Sequence, residues 1–191
     1  MRNISILFAI FFSVTLSAQE VKMRDVFAQA PDSIFPLMTK NNRLDCIDFI
    51  ENSMRARVKN KFDTYSELLL LTKDYLKLQP SDKSTVEMKI FNDSLICFVH
   101  TFQGPAADSE VSFYNLKWEP VDYKLERPKA DDFFRPDADG EVSGLLRQLP
   151  LIKASLSPES PTLTWELQTT ELTKAQRKTA ETFLSSIAVR L

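Results

Sequence analysis

The first apolar segment of the chain lies at its N-terminus. Arg2 precedes a mostly apolar run from Ile4 to Leu16, and the small pair Ser17-Ala18 separates this run from polar residues. A positive start, a short apolar run and small residues before polar ones are typical of a secretory signal peptide, and the run is shorter than the roughly twenty residues that span a bilayer. We therefore predict that residues 1–18 are removed on export. Residues 19–191 would then form a periplasmic or secreted protein with no stable membrane insertion.

The chain after the predicted signal peptide begins with a helical pattern. Apolar residues spaced three and four apart predict a short helix around Met23 to Ala30 and a second helix that begins near Asn42 and runs to about Val58. Asn42 is a favourable residue at the N-cap of this second helix. The apolar stripe that we expect it to bury consists of Leu44, Ile47, Ile50 and Met54.

An alternation with a period of two follows and predicts β-strands. From Val86 to Ile90 apolar residues alternate with Glu87 and Lys89, which is typical of a half-buried strand. The next strand, Ser94 to Phe102, is apolar on both sides and should lie centrally, and Ser109 to Trp118 predicts a further strand. Short connections favour antiparallel pairing, because parallel neighbours need a crossover of a dozen or more residues.

A proline-containing segment and a hairpin follow these strands. Three prolines between Glu119 and Asp139 predict an extended surface connection, and Asp139 is a favourable N-cap for a short helix after it. Lys153 to Leu156 and Thr162 to Gln168 then alternate as the two strands of a hairpin.

The chain ends with a second helical pattern. Thr173 and Gln176 have the spacing of a capping box, and the apolar face of the predicted final helix reaches Ile187. Strands in the middle and helices near both ends predict a single-domain α+β fold, with a mainly antiparallel sheet flanked by N-terminal and C-terminal helices.

Composition and charge narrow the class of partner. The chain has 24 lysines and arginines against 26 aspartates and glutamates, a net charge of -2, and both signs are interspersed along it. A nucleic-acid-binding protein should carry clustered positive charge, so we expect no nucleic-acid partner. The chain has three glycines and neither a GxGxxG nor a GxxxxGK[ST] motif, so it lacks the usual backbone cradle for nucleotide phosphates. We predict no cofactor.

The scarcity of histidine and cysteine limits metal binding and nucleophilic catalysis. His100 is the only histidine, and Cys46 and Cys97 are the only cysteines, which excludes multi-histidine sites and four-ligand zinc sites built from these residue types. Each cysteine lies in an apolar pattern and is predicted to be a small buried residue rather than half of a disulfide. His100 is predicted to be a sheet or strand-end residue rather than a catalytic one.

Acidic residues suggest two further kinds of chemistry. The segment Asp137 to Glu141 resembles part of a calcium loop, but Arg135 and Leu146 occupy the first and twelfth positions, where acidic ligands are required, so we predict no metal site. Neighbouring carboxylates could also act as general acid and base, although a solvated charged surface is the simpler interpretation. The candidate groups are Glu126 with Asp131 and Asp132, and Asp108 with Glu110.

Aromatic residues supply the candidate interaction site. Tyr114, Trp118 and Tyr123 lie on and just after one predicted strand, where aromatic residues usually belong to the core. Any exposed part of them could form a recognition patch, because tyrosine and tryptophan are enriched at binding hot spots. Together with Asp108 they are our predicted interaction residues.

Several short motifs are distinctive as a set. They are Pro31-Asp32-Ser33, Leu37 to Asp45, Asp48-Phe49, Thr85 to Met88, Pro105 to Ser109, Phe113-Tyr114 and Trp118. Together they resemble an uncharacterised family of exported proteins from Bacteroidales, the domain-of-unknown-function family 3256. The resemblance spans most of the chain after the signal peptide and implies export and a compact fold, with no established activity to transfer.

Three functions are compatible with these observations. The first is a non-enzymatic binding or accessory protein that recognises a protein or an envelope component through a sheet face or a loop cluster. The second is a small hydrolase acting on an envelope or dietary polymer, with His100, Asp108 or Asp132 in the catalytic role. The third is a small-molecule carrier with a pocket between sheet and helices.

Overall fold

Two antiparallel sheets and four α-helices make up the part of the chain that the structure describes. The computed structural model describes residues 20–136, 138 and 140–191, so the predicted signal peptide, residues 1–18, lies outside the described residues. In chain order the elements are α1 (Met23–Gln29), α2 (Lys40–Glu51), β1 (Ala56–Lys59), β2 (Tyr65–Leu71), β3 (Tyr75–Ser81), β4 (Ser84–Phe91), β5 (Leu95–Gln103), β6 (Ala107–Asn115), a 3-10 helix (Ala130–Phe133), α3 (Glu141–Gln148), β7 (Ile152–Leu156), β8 (Thr162–Leu167), α4 (Lys174–Ala180) and β9 (Ile187–Arg190).

The strands pair in chain order. β1 to β6 form one sheet and β7 to β9 a second, and every pairing within them is antiparallel. Asn92 and Asp93 form the turn between β4 and β5: both residues have positive φ angles, of 51° and 52°, which asparagine and aspartate tolerate in tight hairpins. The predicted α+β class and antiparallel pairing are confirmed.

The second helix differs from its prediction in its cap, its length and its buried face. Thr39, rather than Asn42, is the N-cap: its hydroxyl accepts a hydrogen bond from the Asn42 backbone N–H at 3.1 Å. The helix ends at Glu51, because the chain turns there into β1. Its buried residues are Arg43, Cys46 and Ile47, whereas Leu44 and Met54 are 39% and 52% exposed.

The prediction of a half-buried β4 was wrong, because both faces of this strand are covered. Helices α1 and α2 pack on one face of the larger sheet and form a core with Val86 and Met88. The smaller sheet packs on the other face through β7, which contacts β4, β5 and β6. Glu87 and Lys89, which point to that face, are consequently buried.

Side chains of the larger sheet hold the edge of the smaller one. The outer N–H groups of β7, those of Ile152, Ala154 and Leu156, face away from β8. They donate to a side-chain oxygen of Asp108 at 2.8 Å, of Ser109 at 2.9 Å and of Glu87 at 2.7 Å, respectively. Buried backbone donors are costly when they lack an acceptor, so this pattern fixes how the two sheets dock.

The last part of the chain forms a strand that the periodicity did not reveal. The predicted capping box is confirmed, with Thr173 and Gln176 bonded reciprocally, but α4 ends at Ala180. The chain continues to β9, which pairs with β8 and includes Ile187. Pairing with an exposed strand edge outweighs the weak helical period there.

A shorter helix also begins later than predicted. The N-cap of α3 is Gly140, while Asp139, the predicted cap, lies outside the described residues.

Candidate functional site

An apolar groove opens on the helix-covered face of the larger sheet. We call it the His100 groove. Its cavity volume is about 280 Å³, and its walls come from three separate segments: the connection between α1 and α2, the β3–β4 hairpin and the end of β5. The lining residues include Ile34, Phe35, Leu37, Met38, Pro80, Lys83, Val86, Phe98, His100 and Phe102.

A buried arginine holds the first wall in place. Arg43 is 1% exposed, and its guanidinium donates to the backbone oxygens of Ala30 and, at 3.3 Å, of Met38. It also donates to Asp32 at 3.0 Å, and Lys61 contacts the other oxygen of the same carboxylate at 3.1 Å. One side chain on α2 therefore fixes both ends of the connection that borders the groove.

The second wall is a hairpin that the neighbouring strand secures. Pro80 cannot donate a backbone hydrogen bond, and the pairing of β3 with β4 shifts register between Leu78 and Ser81, which accommodates a proline in a central strand. The Gln103 N–H donates to the Lys83 carbonyl at 2.7 Å and so ties the hairpin tip to β5. The mouth of the groove is therefore built on strand ends.

His100 forms the floor near this mouth. Its ring centre lies 4.1 Å from that of Phe102 and 6.5 Å from that of Phe98, which it meets edge to face. Burial lowers the pKa of His100, and the negative charge of Glu110 on β6 opposes this shift only partly. The imidazole is therefore neutral at pH 7. No described residue is hydrogen-bonded to it.

Phe102 gives the groove an exposed aromatic rim. It is 50% exposed at the end of β5, and the rings of Phe98 and Phe35, 5.9 Å apart, lie deeper in the same core. Aromatic walls with one neutral ring that can donate or accept a hydrogen bond suit an apolar or aromatic group carrying a single polar atom.

The predicted aromatic interaction residues lie in two different cores. Tyr114 and Trp118 pack against the helix-side core, and the Trp118 indole N–H donates to the Val26 carbonyl at 3.2 Å. Tyr123 instead belongs to the core between the sheets, where it stacks on Phe113 at 4.4 Å. The structure does not bring these three side chains into one patch.

Asp108 has a role in docking the two sheets. Besides accepting from the Ile152 N–H, it forms an ion pair with Arg127 at 2.5 Å, and its side chain is 40% exposed. Contact of any predicted interaction residue with a partner stays a prediction.

The remaining chemical candidates are engaged in local structure. Asp132 accepts a hydrogen bond from the Lys129 N–H at 2.7 Å at the start of the 3-10 helix, and Asp131 pairs with Arg147 at 2.6 Å. Within the described residues no group of three or more histidine, cysteine, aspartate or glutamate side chains could hold a metal ion. Asp137 and Asp139, which belong to the calcium-like segment, lie outside that part of the chain.

Both cysteines are buried free thiols. Cys46 belongs to the core under the helices, and Cys97 to the core between the sheets. Burial raises the pKa of each thiol to about 12, so both stay protonated at neutral pH.

The groove itself was missed at the level of sequence. Its walls come from three segments spread between residues 34 and 102, and each wall residue has the local pattern of an ordinary core or turn position. The only available signal was that three aromatic residues, Phe98, His100 and Phe102, occupy alternate positions of one strand. The last of them lies near the end of that strand.

Over the described residues the protein is thus of the α+β class, with two antiparallel sheets and an aromatic cleft between a helix connection and strand ends. A family described as "Protein of unknown function (DUF3256)" matches residues 13–190. The chain belongs to this family, as its short motifs indicated.

One solved structure supports the same architecture. The chain is similar to the "Structure of a domain of an uncharacterized protein from Porphyromonas gingivalis W83", with a TM-score of 0.70 and 25% sequence identity over 87% of this chain and 92% of that chain. No curated protein matches the chain. None of the helices in the described ranges combines the length and apolar character that crossing a bilayer requires.

Proposed function

We propose that this protein is an exported binding protein that takes an apolar group of a protein or envelope component into the His100 groove. The observation that carries the proposal is the groove itself: an aromatic-lined cleft of about 280 Å³ whose rim residue, Phe102, stays 50% exposed. A half-exposed phenylalanine beside a preformed cavity gains free energy when a ligand covers it.

The size and the charge of the groove restrict its ligand. A volume of about 280 Å³ lies at the lower end of the range for small-molecule sites, so the groove suits one ring or one short branched chain. His100 is neutral, which leaves Lys83 as the charged residue of the lining. An apolar group can enter without stripping water from a buried ion.

Binding can be tested with indole as the probe, because it combines an apolar ring with one N–H donor. We expect saturable changes in the backbone NMR signals of β5 on titration with indole. Replacing Phe102 by alanine removes about half of a phenylalanine contact, on the order of 100 Å², and should weaken binding by about 1–2.5 kcal/mol, roughly 5- to 70-fold.

Phe62 provides the matched control. It is a phenylalanine that is 69% exposed and does not line the groove, so Phe62→Ala should leave indole binding unchanged. Equal losses in both variants, or no saturable change in β5, would rule out the groove as the binding site.

Export needs a separate experiment. We expect the protein recovered from the periplasm or the medium of its host to begin at Gln19, as the leader pattern predicts. A cytosolic protein that still carries Met1 would overturn this part of the proposal and leave the groove unaffected.

A small-molecule carrier is the second candidate, since the same cavity lies between a helix connection and the sheet. Native mass spectrometry of the protein purified from its host distinguishes the two functions. A carrier should retain a stoichiometric small ligand that Phe102→Ala loses, whereas a protein that binds a group on a larger partner should be recovered without one.

A further inference from the structure

We propose that a second groove, on the opposite face of the larger sheet, binds a neutral oligosaccharide. It lies over β1 and β2, has a volume of about 360 Å³, and is separate from the His100 groove. We call it the Tyr65 groove. The residues used in the argument are Arg55, Arg57, Tyr65, Glu67, Gln79 and Asp82.

The smaller sheet leaves this part of the larger sheet open. β7 packs on β4, β5 and β6, while the same face of β1 and β2 carries exposed side chains. Arg57, Glu67 and Gln79 stand side by side in one cross-strand row, and Tyr65 lies in the next row of β2. Four side chains from three strands therefore share one surface.

Two separate contacts restrain the long side chains of the groove. The Arg57 guanidinium lies 4.0 Å from the centre of the Tyr65 ring, within the range of a cation–π contact. Arg55 makes a fork of two hydrogen bonds to Glu67, at 2.8 Å and 2.7 Å. Each contact restricts the rotamers of one arginine, which reduces the side-chain entropy that a ligand must remove.

The charges in the groove favour a ligand that is itself neutral. Arg55 and Arg57 are balanced by Glu67 and Asp82, so an anion would meet two carboxylates and a cation two guanidinium groups. Sugar hydroxyls both donate and accept hydrogen bonds, which matches a surface with both kinds of partner. The planar groups of Arg57 and Gln79 can each bond two neighbouring hydroxyls.

The Tyr65 ring supplies an apolar surface for the sugar, beside the polar groups of the groove. Tyr65 is 52% exposed, and Arg57 covers only one face of its ring. The remaining ring surface can contact the apolar C–H groups of a pyranose, while its hydroxyl stays available for a hydrogen bond.

The experiment titrates the full chain with three neutral probes, cellobiose, maltotriose and diacetylchitobiose, and with digalacturonate as an acidic comparison. We expect saturable NMR shifts in β1 and β2 with at least one neutral probe. Tyr65→Ala and Arg57→Ala should each weaken that binding by about tenfold or more. Tyr65→Phe, which keeps the ring and the stacking, should weaken it less.

Two controls separate a specific site from a general effect. Arg147 is a matched arginine, stacked on Phe134 at 4.7 Å and paired with Asp131 elsewhere on the surface, so Arg147→Ala should bind sugar normally. Phe102→Ala should also bind sugar normally, because it alters only the His100 groove.

Three results would overturn the proposal. These are the absence of a saturable shift with all three neutral probes, tighter binding of digalacturonate than of any neutral probe, and sugar binding that is unchanged in both Tyr65→Ala and Arg57→Ala. None of them bears on indole binding at the His100 groove, so the two proposals fail independently.

Discussion

Replacing Arg43 tests whether one buried arginine builds the wall of the His100 groove. Its guanidinium donates to the carbonyls of Ala30 and Met38, two residues that are 3% and 0% exposed. Arg43→Ala removes both donors and the packed side-chain stem. The connection between α1 and α2 then loses the contacts that hold it against the core.

The size of the loss follows from these contacts. Each buried carbonyl left without a donor costs about 1–3 kcal/mol, and the lost stem adds about 2 kcal/mol of packing. Water entering the vacated space recovers part of this sum, so we expect Arg43→Ala to lower the free energy of unfolding by about 3–5 kcal/mol. Arg43→Met keeps the apolar stem and should cost less.

The variant Asp32→Ala separates the effect of the ion pair from that of the hydrogen bonds to the buried carbonyls. The Asp32 carboxylate contacts the buried Arg43 at 3.0 Å, but its own side chain is 49% exposed, so water screens this contact, and Arg43 keeps both of its carbonyl acceptors when Asp32 is removed. Hydrogen bonds from Arg43 and Lys61 lower the pKa of Asp32, so the contribution of this pair is present at neutral pH and is lost as the pH falls through that lowered pKa. Asp32→Ala should therefore cost a small fraction of the Arg43→Ala loss.

Urea unfolding at pH 7, followed by circular dichroism, measures all three variants. The expected order of stability is the unmodified protein and Asp32→Ala close together, then Arg43→Met, then Arg43→Ala. If Asp32→Ala were as unstable as Arg43→Ala, the ion pair rather than the hydrogen bonds to the buried carbonyls would hold the connection. Indole titration of Arg43→Met should also show weaker binding, because the groove wall is no longer held.

Three further measurements test other parts of the structure. Ser109→Ala leaves the Ala154 N–H without its acceptor in the interface of the two sheets, and should lower the unfolding free energy by about 1–3 kcal/mol in the same urea assay. Cys46 and Cys97 should not react with a thiol reagent at pH 7 in the folded protein and should both react in urea; rapid labelling before unfolding would contradict their burial. Because burial lowers the pKa of His100, the neutral ring is favoured in the folded state; stability should fall as the pH drops below the ordinary histidine pKa of about 6.5, indole affinity should fall as the pH passes the lower pKa of the folded protein, and His100→Phe should remove both effects.

The local pattern of apolar and polar residues predicted correctly those elements whose structure is decided by residues close in sequence. The hairpin from β4 to β5 and the capping box at Thr173 depend on residues close in sequence, and both are present. The errors occur where distant segments decide burial. Glu87 and Lys89 have the pattern of a solvent face, but a sheet formed some seventy residues later covers them. Arg43 lies outside the predicted apolar stripe of its helix and is nevertheless buried, because its acceptors lie on the connection before that helix.

The candidate sites were beyond prediction for a related reason. The His100 groove joins three segments that no local periodicity connects, and the Tyr65 groove depends on knowing which part of the sheet is left uncovered. Trp118 and Tyr123, by contrast, carry a strong aromatic signal but are used for packing in separate cores. Aromatic type alone could not separate a binding residue from a core residue.

Incomplete covering of the larger sheet explains why both grooves lie where they do. Its central strands are packed on both faces, so substitutions there must preserve shape and hydrogen bonding. Phe102 and Tyr65 stand where this covering ends and are about half exposed. Substituting either residue with alanine should therefore weaken ligand binding and change the unfolding free energy by less than about 1 kcal/mol. Ser109→Ala should instead lower the unfolding free energy and leave ligand binding unchanged. A large stability loss in Phe102→Ala or Tyr65→Ala would show that these side chains serve packing and would remove the basis for assigning them to binding.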